Sequence, residues 1–420
     1  MKRLAERKVV ISMTFTTANP SGSLIPVYIF ILVTGVVLSF ASMGPYSLLV
    51  LTPAFVAAFL LPAANPASVH RWAFLLQMTW QTLCHLWLQY TSPRLENIQK
   101  TRFSISISSL MLLTQRVTSV ALDIHEGKVR SAPENQERGS FQQSLWSHLA
   151  LCSYLLFFPA LLGGPLCSFL MFDEQISRVV APLANPIRIF GRMCIRVLVL
   201  QMLRIFVQDW VISQPGLAEC SQFSCVSTMW STALLFKLSY YSHWLLDESL
   251  VHAAGFGNQI GHQAEIFHHE LSDMDLWTLE TTNRMSLFTR TWNKSTSQWL
   301  RRLIFKKSPM QPLLVTFIFS AWWHGLYPGQ VFGFLCWAVM VEADYRISPY
   351  LSSIVKSWHA TLLFKLLTLV QTQLVVAYIM VAVEMRSLSV LWMLCGSYCS
   401  FFPLLNCGLL IWLVKRSVKT

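Results

Sequence analysis

Of 420 residues, 54% are apolar and only 12% charged, and the mean hydropathy is positive, so the chain carries more apolar surface than a soluble core of this length can bury. A soluble domain is thereby argued against, and a polytopic membrane protein is expected. The formal net charge of +12 does not point to nucleic acid, because the basic residues fall between apolar spans and form no soluble basic face; membrane headgroups or a polyanionic ligand suit them better.

From Val9 to His70 there is no Asp, Glu, Lys or Arg, room for two spans broken at Gly44-Pro45. The Thr- and Ser-rich stretch after Lys8 is a poor signal-peptide core, so the N-terminus is expected to be retained. At about 20 apolar residues per span, helices are expected near 24–42, 46–62, 72–89, 103–121, 146–170, 189–212 and 226–246, then 312–325, 330–345, 358–383 and 388–414. The fold class is therefore all-α: a transmembrane helical bundle of about 10–11 membrane segments, organised as one domain over residues 1–420. Gly163-Gly164-Pro165 and Gly325 to Gly329 are places where a helix is expected to break inside the bundle. Lys415, Arg416 and Lys419 favour a cytosolic C-terminus, and Lys2, Arg3, Arg7 and Lys8 argue the same for the N-terminus. An odd number of spans contradicts one of the two, and the C-terminal assignment is preferred.

Ten cysteines are scattered without a CxxC pair or metal-ligand spacing and read as small buried hydrophobes. Cys220 and Cys225 lie close together in a polar connection; whether they bridge is left open. In the fourth span, Thr114-Gln115-Arg116 places an arginine at membrane depth, where it must be paired or line a wet cavity, so Gln115 and Arg116 are candidates for a substrate tunnel. Arg188, Arg192 and Arg196 share one helical face near the start of a span and are expected to snorkel to the interface. A loop with His252, His262, Glu265, His268, His269, Glu270, Asp273 and Asp275 lacks metal-ligand spacing, and no metal site is expected.

The catalytic region is expected at about 281–345. Arg284, Arg290, Lys294, Arg301, Arg302, Lys306 and Lys307 occur there with no acid from Thr281 to Val341. Trp299, Leu300, Leu303 and Ile304 recur at helical spacing, which predicts an amphipathic interfacial helix over Ser295 to Lys307. Its basic flanks suit a phosphate-rich ligand such as coenzyme A, with Arg301, Arg302 and Lys306 as contacts and Arg290 as a further phosphate or thioester contact. His324 stands at the end of an apolar span, before Gly325-Leu326-Tyr327-Pro328-Gly329. An imidazole there can take a proton from an attacking hydroxyl. Asn293 reads either as a helix N-cap or as an amide that donates to a thioester carbonyl. No Gly-x-Ser-x-Gly elbow or glycine-rich phosphate loop supports other chemistry.

Trp292-Asn293, Thr296 and Trp299-Leu300, followed by Trp323-His324-Gly325 and Pro328-Gly329, resemble the signature of the membrane-bound O-acyltransferase family. The resemblance implies a multi-pass enzyme with an internal catalytic tunnel, in which His324 is the essential base and Asn293 the second catalytic residue. It also implies acyl-CoA as co-substrate, with no bound cofactor, and places Trp292 and Trp323 beside the substrate. Leu112 to Arg116 and Asp123 to Gly127 look like the lysophospholipid branch. By contrast, Trp80 to His85, Tyr154 to Gly164, Tyr241 to Trp244, His252 to Gly257 and Gly329 to Phe334 are similar to the branch that acylates a secreted peptide. Gln330-Val331 stands where the lysophospholipid branch shows an aromatic pair. This likeness implies transfer of an octanoyl group to a serine of a peptide hormone precursor at the endoplasmic reticulum membrane. Two alternatives differ in class: a lysophospholipid acyltransferase, and a transporter with His324 and Arg116 along a permeation path, for which no inverted repeat is found.

Overall fold

The computed structural model describes residues 24–129, 141–163, 166–178, 186–214, 216, 220, 223–253, 275–355 and 357–419, and every regular element among them is helical. The chain divides into two compact units, residues 1–162 with 167–182 and residues 163–166 with 183–420.

The first unit contains α1 (Ile25–Met43), α2 (Leu48–Ala63), α3 (Val69–Thr91), α4 (Asn97–His125), α5 (Phe141–Leu155) and α6 (Phe169–Arg178). α1 and α2 join at Gly44, whose φ of 59° suits glycine, and together form a 39-residue stretch of mean hydropathy 2.2. Phe30, Val33 and Val37 are exposed along α1, a face that only lipid can cover. Gly35 lets α1 approach the end of α5, since a Cβ there would lie 2.2 Å from the carbonyl oxygen of Leu156.

α4 is the interior helix, and Thr114, Gln115, Arg116 and Asp123 are all buried on it. Thr114 donates to Gln81 Oε1 at 2.8 Å. Arg116 donates from Nη1 to the carbonyl oxygens of Tyr154 at 3.1 Å, Leu155 at 3.2 Å and Phe157 at 3.4 Å. These carbonyls lie where the α-helical ladder of α5 stops, and those of Tyr154 and Phe157 also accept from the backbone N–H groups of Phe157 at 3.3 Å and Ala160 at 3.2 Å. The expected single span over 146–170 is thus two helices, with α5 ending at Leu155, a short 3-10 turn at Phe158–Ala160, and α6 beginning at Phe169. Pro159 lacks the N–H that would continue α5, and Arg116 supplies donors to the exposed helix end.

The second unit begins with α7 (Pro186–Ser213) and α8 (Phe223–Ala253), which pack on each other; a Cys220–Cys225 disulfide ties the segment before α8 to the first turn of α8. Arg192 and Arg196 are exposed on α7, as expected for snorkelling residues; the side chain of Arg188 lies outside the described residues. Next come α9 (Leu276–Thr281), α10 (Met285–Thr291), α11 (Lys294–Leu303), α12 (Pro312–His324), α13 (Pro328–Ile354), α14 (Trp358–Glu384), α15 (Leu388–Gly396) and α16 (Phe401–Lys419). The expected span over 388–414 is broken into α15 and α16. Ser397 is extended, with ψ of 162°, and Pro403 is tolerated only in the first turn of a restarted helix. α13 and α14 touch through glycine, since a Cβ on Gly329 would lie 2.1 Å from the carbonyl oxygens of Ala382 and Met385. Buried Val375 to Ala382 form the α14 side of the core. The side chain of His252 and residues 254–274, with the remaining histidines of the predicted loop, lie outside the described residues. Asp275 caps α9, accepting from the Thr278 backbone N–H at 3.0 Å. That bond and the Thr278 hydroxyl hold its carboxyl below its ordinary range.

Replacing Arg116 with Ala removes the charge-assisted hydrogen bonds that the two N–H groups of Nη1 share among three carbonyl oxygens, each full bond contributing roughly 1.5–3 kcal/mol. A loss of about 3 kcal/mol or more is expected, read as a lower melting temperature of the detergent-solubilised protein; a variant as stable as the parent would show that the guanidinium does not secure the end of α5. The disulfide belongs in an oxidising compartment and the arginines of α7 on the cytosolic side. An impermeant reductant and thiol reagent added to the cytosolic face of sealed vesicles should therefore leave Cys220 and Cys225 unmodified until the membrane is permeabilised. Modification before that point would reverse the orientation of α7.

Candidate active site

Asn293 sits between two short helices. α10 ends at Thr291, Trp292 is extended, and Asn293 turns into α11 with φ 45° and ψ 67°, a left-handed conformation that Asn tolerates better than most residues. Its Oδ1 accepts from the backbone N–H of Thr296 at 3.3 Å. The cap uses the carbonyl end of the amide, so the other end, Nδ2, is the donor end. Of the two sequence readings of Asn293, the structure shows the cap.

His324 is the last residue of α12. Gly325 (φ 117°) and Leu326 (φ 62°) follow in left-handed conformations, and the Leu326 N–H returns to the Ala321 carbonyl oxygen at 3.1 Å, which satisfies a terminal carbonyl of α12. α13 starts at once, with Pro328 in its first turn and a capping box between Tyr327 and Gln330. The break expected at Gly325 to Gly329 is present, and Gln330 has a local structural task in it.

Aromatic rings join the two residues. His324 stacks on Phe334 of α13 at 4.9 Å. Phe334 lies 6.3 Å from Trp337, Trp337 lies 6.1 Å from Phe288 of α10, and Phe288 stacks at 5.6 Å on Trp292, the neighbour of Asn293. Trp292 also meets Trp244 of α8 at 4.8 Å, and Trp337 donates from Nε1 to Thr289 Oγ1 at 2.7 Å. On the other side of His324, Trp323 is buried between the imidazole and Trp299 of α11. Sequence reading named Trp292 and Trp323 but missed Phe288, Phe334 and Trp337. Phe334, Trp337, Val341 and Asp344 fall at helical spacing on one face of α13, and that periodicity was the available signal. Gln115 and Arg116 belong to the first unit, where Arg116 is engaged with the end of α5.

The basic residues divide by environment. Arg284 pairs with Asp344 at 2.8 Å, an acid three residues beyond the acid-free stretch. Arg290 donates to the hydroxyl of Tyr345 at 2.8 Å and lies over its ring. α11 is amphipathic as expected, shorter than predicted, and continued by a 3-10 turn at Phe305–Lys307. Trp299 and Leu303 face inward, Arg301 and Lys306 are exposed, and Arg302 is half-buried. Behind the site, Lys237 of α8 pairs with Glu280 at 2.7 Å, and Tyr241 donates to the same carboxylate at 2.7 Å, tying α9 to α8. Among the described residues no group of three or more His, Cys, Asp or Glu is placed to hold a metal ion.

This arrangement pairs an imidazole with an amide donor along an apolar aromatic wall, with exposed cations on α11. Residues 69–381 match the model of the MBOAT, membrane-bound O-acyltransferase family. The chain is 52% identical over 394 residues to membrane-bound ghrelin O-acyltransferase MBOAT4 of Mus musculus, covering 93% of this chain and 90% of that protein. It is 50% identical over 396 residues to the same enzyme of Rattus norvegicus, with the same shares of each chain. Membrane-bound glycerophospholipid O-acyltransferase 1 of Homo sapiens is 27% identical over 378 residues, covering 81% of this chain and 74% of that protein. The chain belongs to the membrane-bound O-acyltransferase family.

Proposed function

We propose that this enzyme moves a medium-chain acyl group, octanoyl, from acyl-CoA to a serine hydroxyl of the ghrelin peptide precursor in the endoplasmic reticulum membrane. The observation that carries the substrate is the half-identity with ghrelin O-acyltransferases over 93% of the chain. His324 acts as the base and Asn293 as the donor to the thioester carbonyl. Arg290 of α10, Arg301 and Arg302 of α11 and Lys306 of the turn that follows it hold the coenzyme A phosphates from the cytosolic side. The acyl chain lies along the aromatic wall formed by Trp292, Phe288, Trp337 and Phe334, and the peptide reaches His324 from the other side. Gln115 and Arg116 remain the proposed tunnel residues of the first unit, and Arg116 also has a structural part, since it donates to the end of α5.

The chemistry balances without a covalent enzyme intermediate. His324 takes the serine proton as the serine oxygen attacks the thioester carbon, and the carbonyl oxygen gains negative charge. The Asn293 amide N–H donates to that oxygen, in surroundings where aromatic rings exclude water and a hydrogen bond counts for more. The C–S bond breaks, and the departing thiolate takes the proton back from the imidazolium. His324 stands at the C-terminal end of α12, where the helix dipole favours the imidazolium between the two transfers.

Octanoyl-CoA offered to membranes with a ghrelin-like peptide and with a lysophospholipid tests the reading. The parent is expected to octanoylate the peptide, and His324→Ala to abolish the transfer. Acylation of the lysolipid alone would move the enzyme to the phospholipid branch, and no transfer to either acceptor would remove the assignment. Asn293→Asp keeps the oxygen that caps α11 and loses the amide donor. Its kcat should fall roughly 10²–10³-fold at little cost in thermal stability, whereas Asn293→Ala should also lose about 1 kcal/mol of stability with the cap. A parental kcat in the Asn293→Asp enzyme would leave Asn293 as a cap alone.

A further inference from the structure

α10 has seven residues, too few to be stable alone, and its own N-cap, Arg284, makes no side-chain cap bond. The cap comes from another helix. Asp344 of α13, whose side chain is only 10% exposed, accepts from the Ser286 backbone N–H through Oδ2 at 3.0 Å and from Arg284 Nε through Oδ1 at 2.8 Å. Both of its oxygens are thus engaged at the start of α10. Two more links, Trp337 with Thr289 and Tyr345 with Arg290, join the same pair of helices.

These contacts set a geometry that neither helix has alone. α13 holds His324 through Phe334, and α10 leads directly into Trp292 and Asn293. The position of α10 along α13 therefore sets the separation between Asn293 and His324. Asp344 stands ten residues beyond Phe334, about 15 Å along the helix at 1.5 Å per residue, so it does not touch the reacting atoms.

We propose that Asp344 is a positioning residue for acyl transfer: its carboxylate fixes α10 on α13 and so holds the Asn293 amide in register with the His324 imidazole. The inference rests on the roles given to Asn293 and His324 above. Misplacement of a reacting group by about 1 Å can cost on the order of 10²-fold in rate, which sets the size of the expected effect.

The test uses the purified full-length enzyme with octanoyl-CoA and a ghrelin-like peptide. Asp344→Ala is expected to lower kcat roughly 10–100-fold while octanoyl-CoA still binds at the parental stoichiometry and its KM stays nearly constant. Asp344→Asn, which keeps an acceptor for the Ser286 N–H and loses only the charge facing Arg284, should recover most of the rate. In an Asn293→Ala background, Asp344→Ala should lower the residual rate far less than it does in the parent, because the group it positions is gone. A parental kcat in Asp344→Ala overturns the proposal, as does an equal fold-loss in both backgrounds. Where Asp344→Ala does not accumulate, Ser286→Pro, which removes the N–H that Asp344 accepts in the first turn of α10, carries the same comparison between backgrounds, and a parental kcat or a loss independent of Asn293 overturns it there too. A parent that transfers nothing to the peptide, or an Asn293→Ala enzyme with the parental rate, removes the underlying reading and this proposal with it.

Discussion

Inside a bilayer a backbone N–H or C=O that leaves its helix finds no water, so every helix end placed within the bundle must be satisfied by protein. Most of what is unusual in this chain follows from that constraint, because it contains several short or broken helices. α5 ends on the guanidinium of Arg116, α10 starts on the carboxylate of Asp344, α11 starts on the amide of Asn293, and α12 closes through a left-handed Gly325. Each of these is a polar or conformationally permissive residue in an apolar sequence. The same short helices put a half-buried imidazole and a half-buried amide at helix ends, which a bundle of uninterrupted spans would present only as side chains along straight helices.

Asn293 shows how one residue can satisfy the constraint and be placed for the proposed chemistry. The carbonyl end of its amide answers the backbone and the NH2 end is the proposed donor, while the left-handed backbone turns the chain from α10 into α11. An Asp could cap but not donate, and a Ser could cap with less reach. The aromatic residues between Asn293 and His324 complete the setting, since they fill the space with surfaces that offer an acyl chain dispersion contacts and offer water little.

Much of this was legible in the sequence. Spans of the full apolar length were placed with starts within six residues and ends within nine, because about 20 apolar residues in a row allow little else, and the basic stripe of α11 followed from its helical period. The two misjudged spans, 146–170 and 388–414, are those where apolar content runs on across a backbone break. Hydropathy counts side chains, and a stop in the hydrogen-bond ladder at Pro159 or Ser397 leaves it unchanged. The identities of Asn293 and His324 were visible as motifs. Their surroundings were not, since Phe288 and Phe334 are 46 residues apart in sequence, and nothing local says that both meet Trp337.

Arg116 and Arg284 illustrate the same limit for charge. Read along the chain, Arg116 has no acid within six residues, and Arg284 has only Glu280, which the fold pairs with Lys237, so each invites a ligand as the missing partner. In the folded chain Arg116 is answered by three carbonyl oxygens at the end of α5, and Arg284 by Asp344, 60 residues away. The acid-free run from Thr281 to Val341 therefore overstates the positive charge offered to a ligand. What is left for a polyanion is Arg301 of α11 and Lys306 of the turn after it, with Arg290, also exposed, held against the Tyr345 hydroxyl. A binding surface of this kind is graded: exposed cations can draw an anionic headpiece in while contributing little each, and Arg290, three residues before Asn293, has its guanidinium oriented by Tyr345 beside the residues proposed to act. The charge pattern thus separates attraction by loose cations from placement by a held one, and it is the second function that depends on the fold.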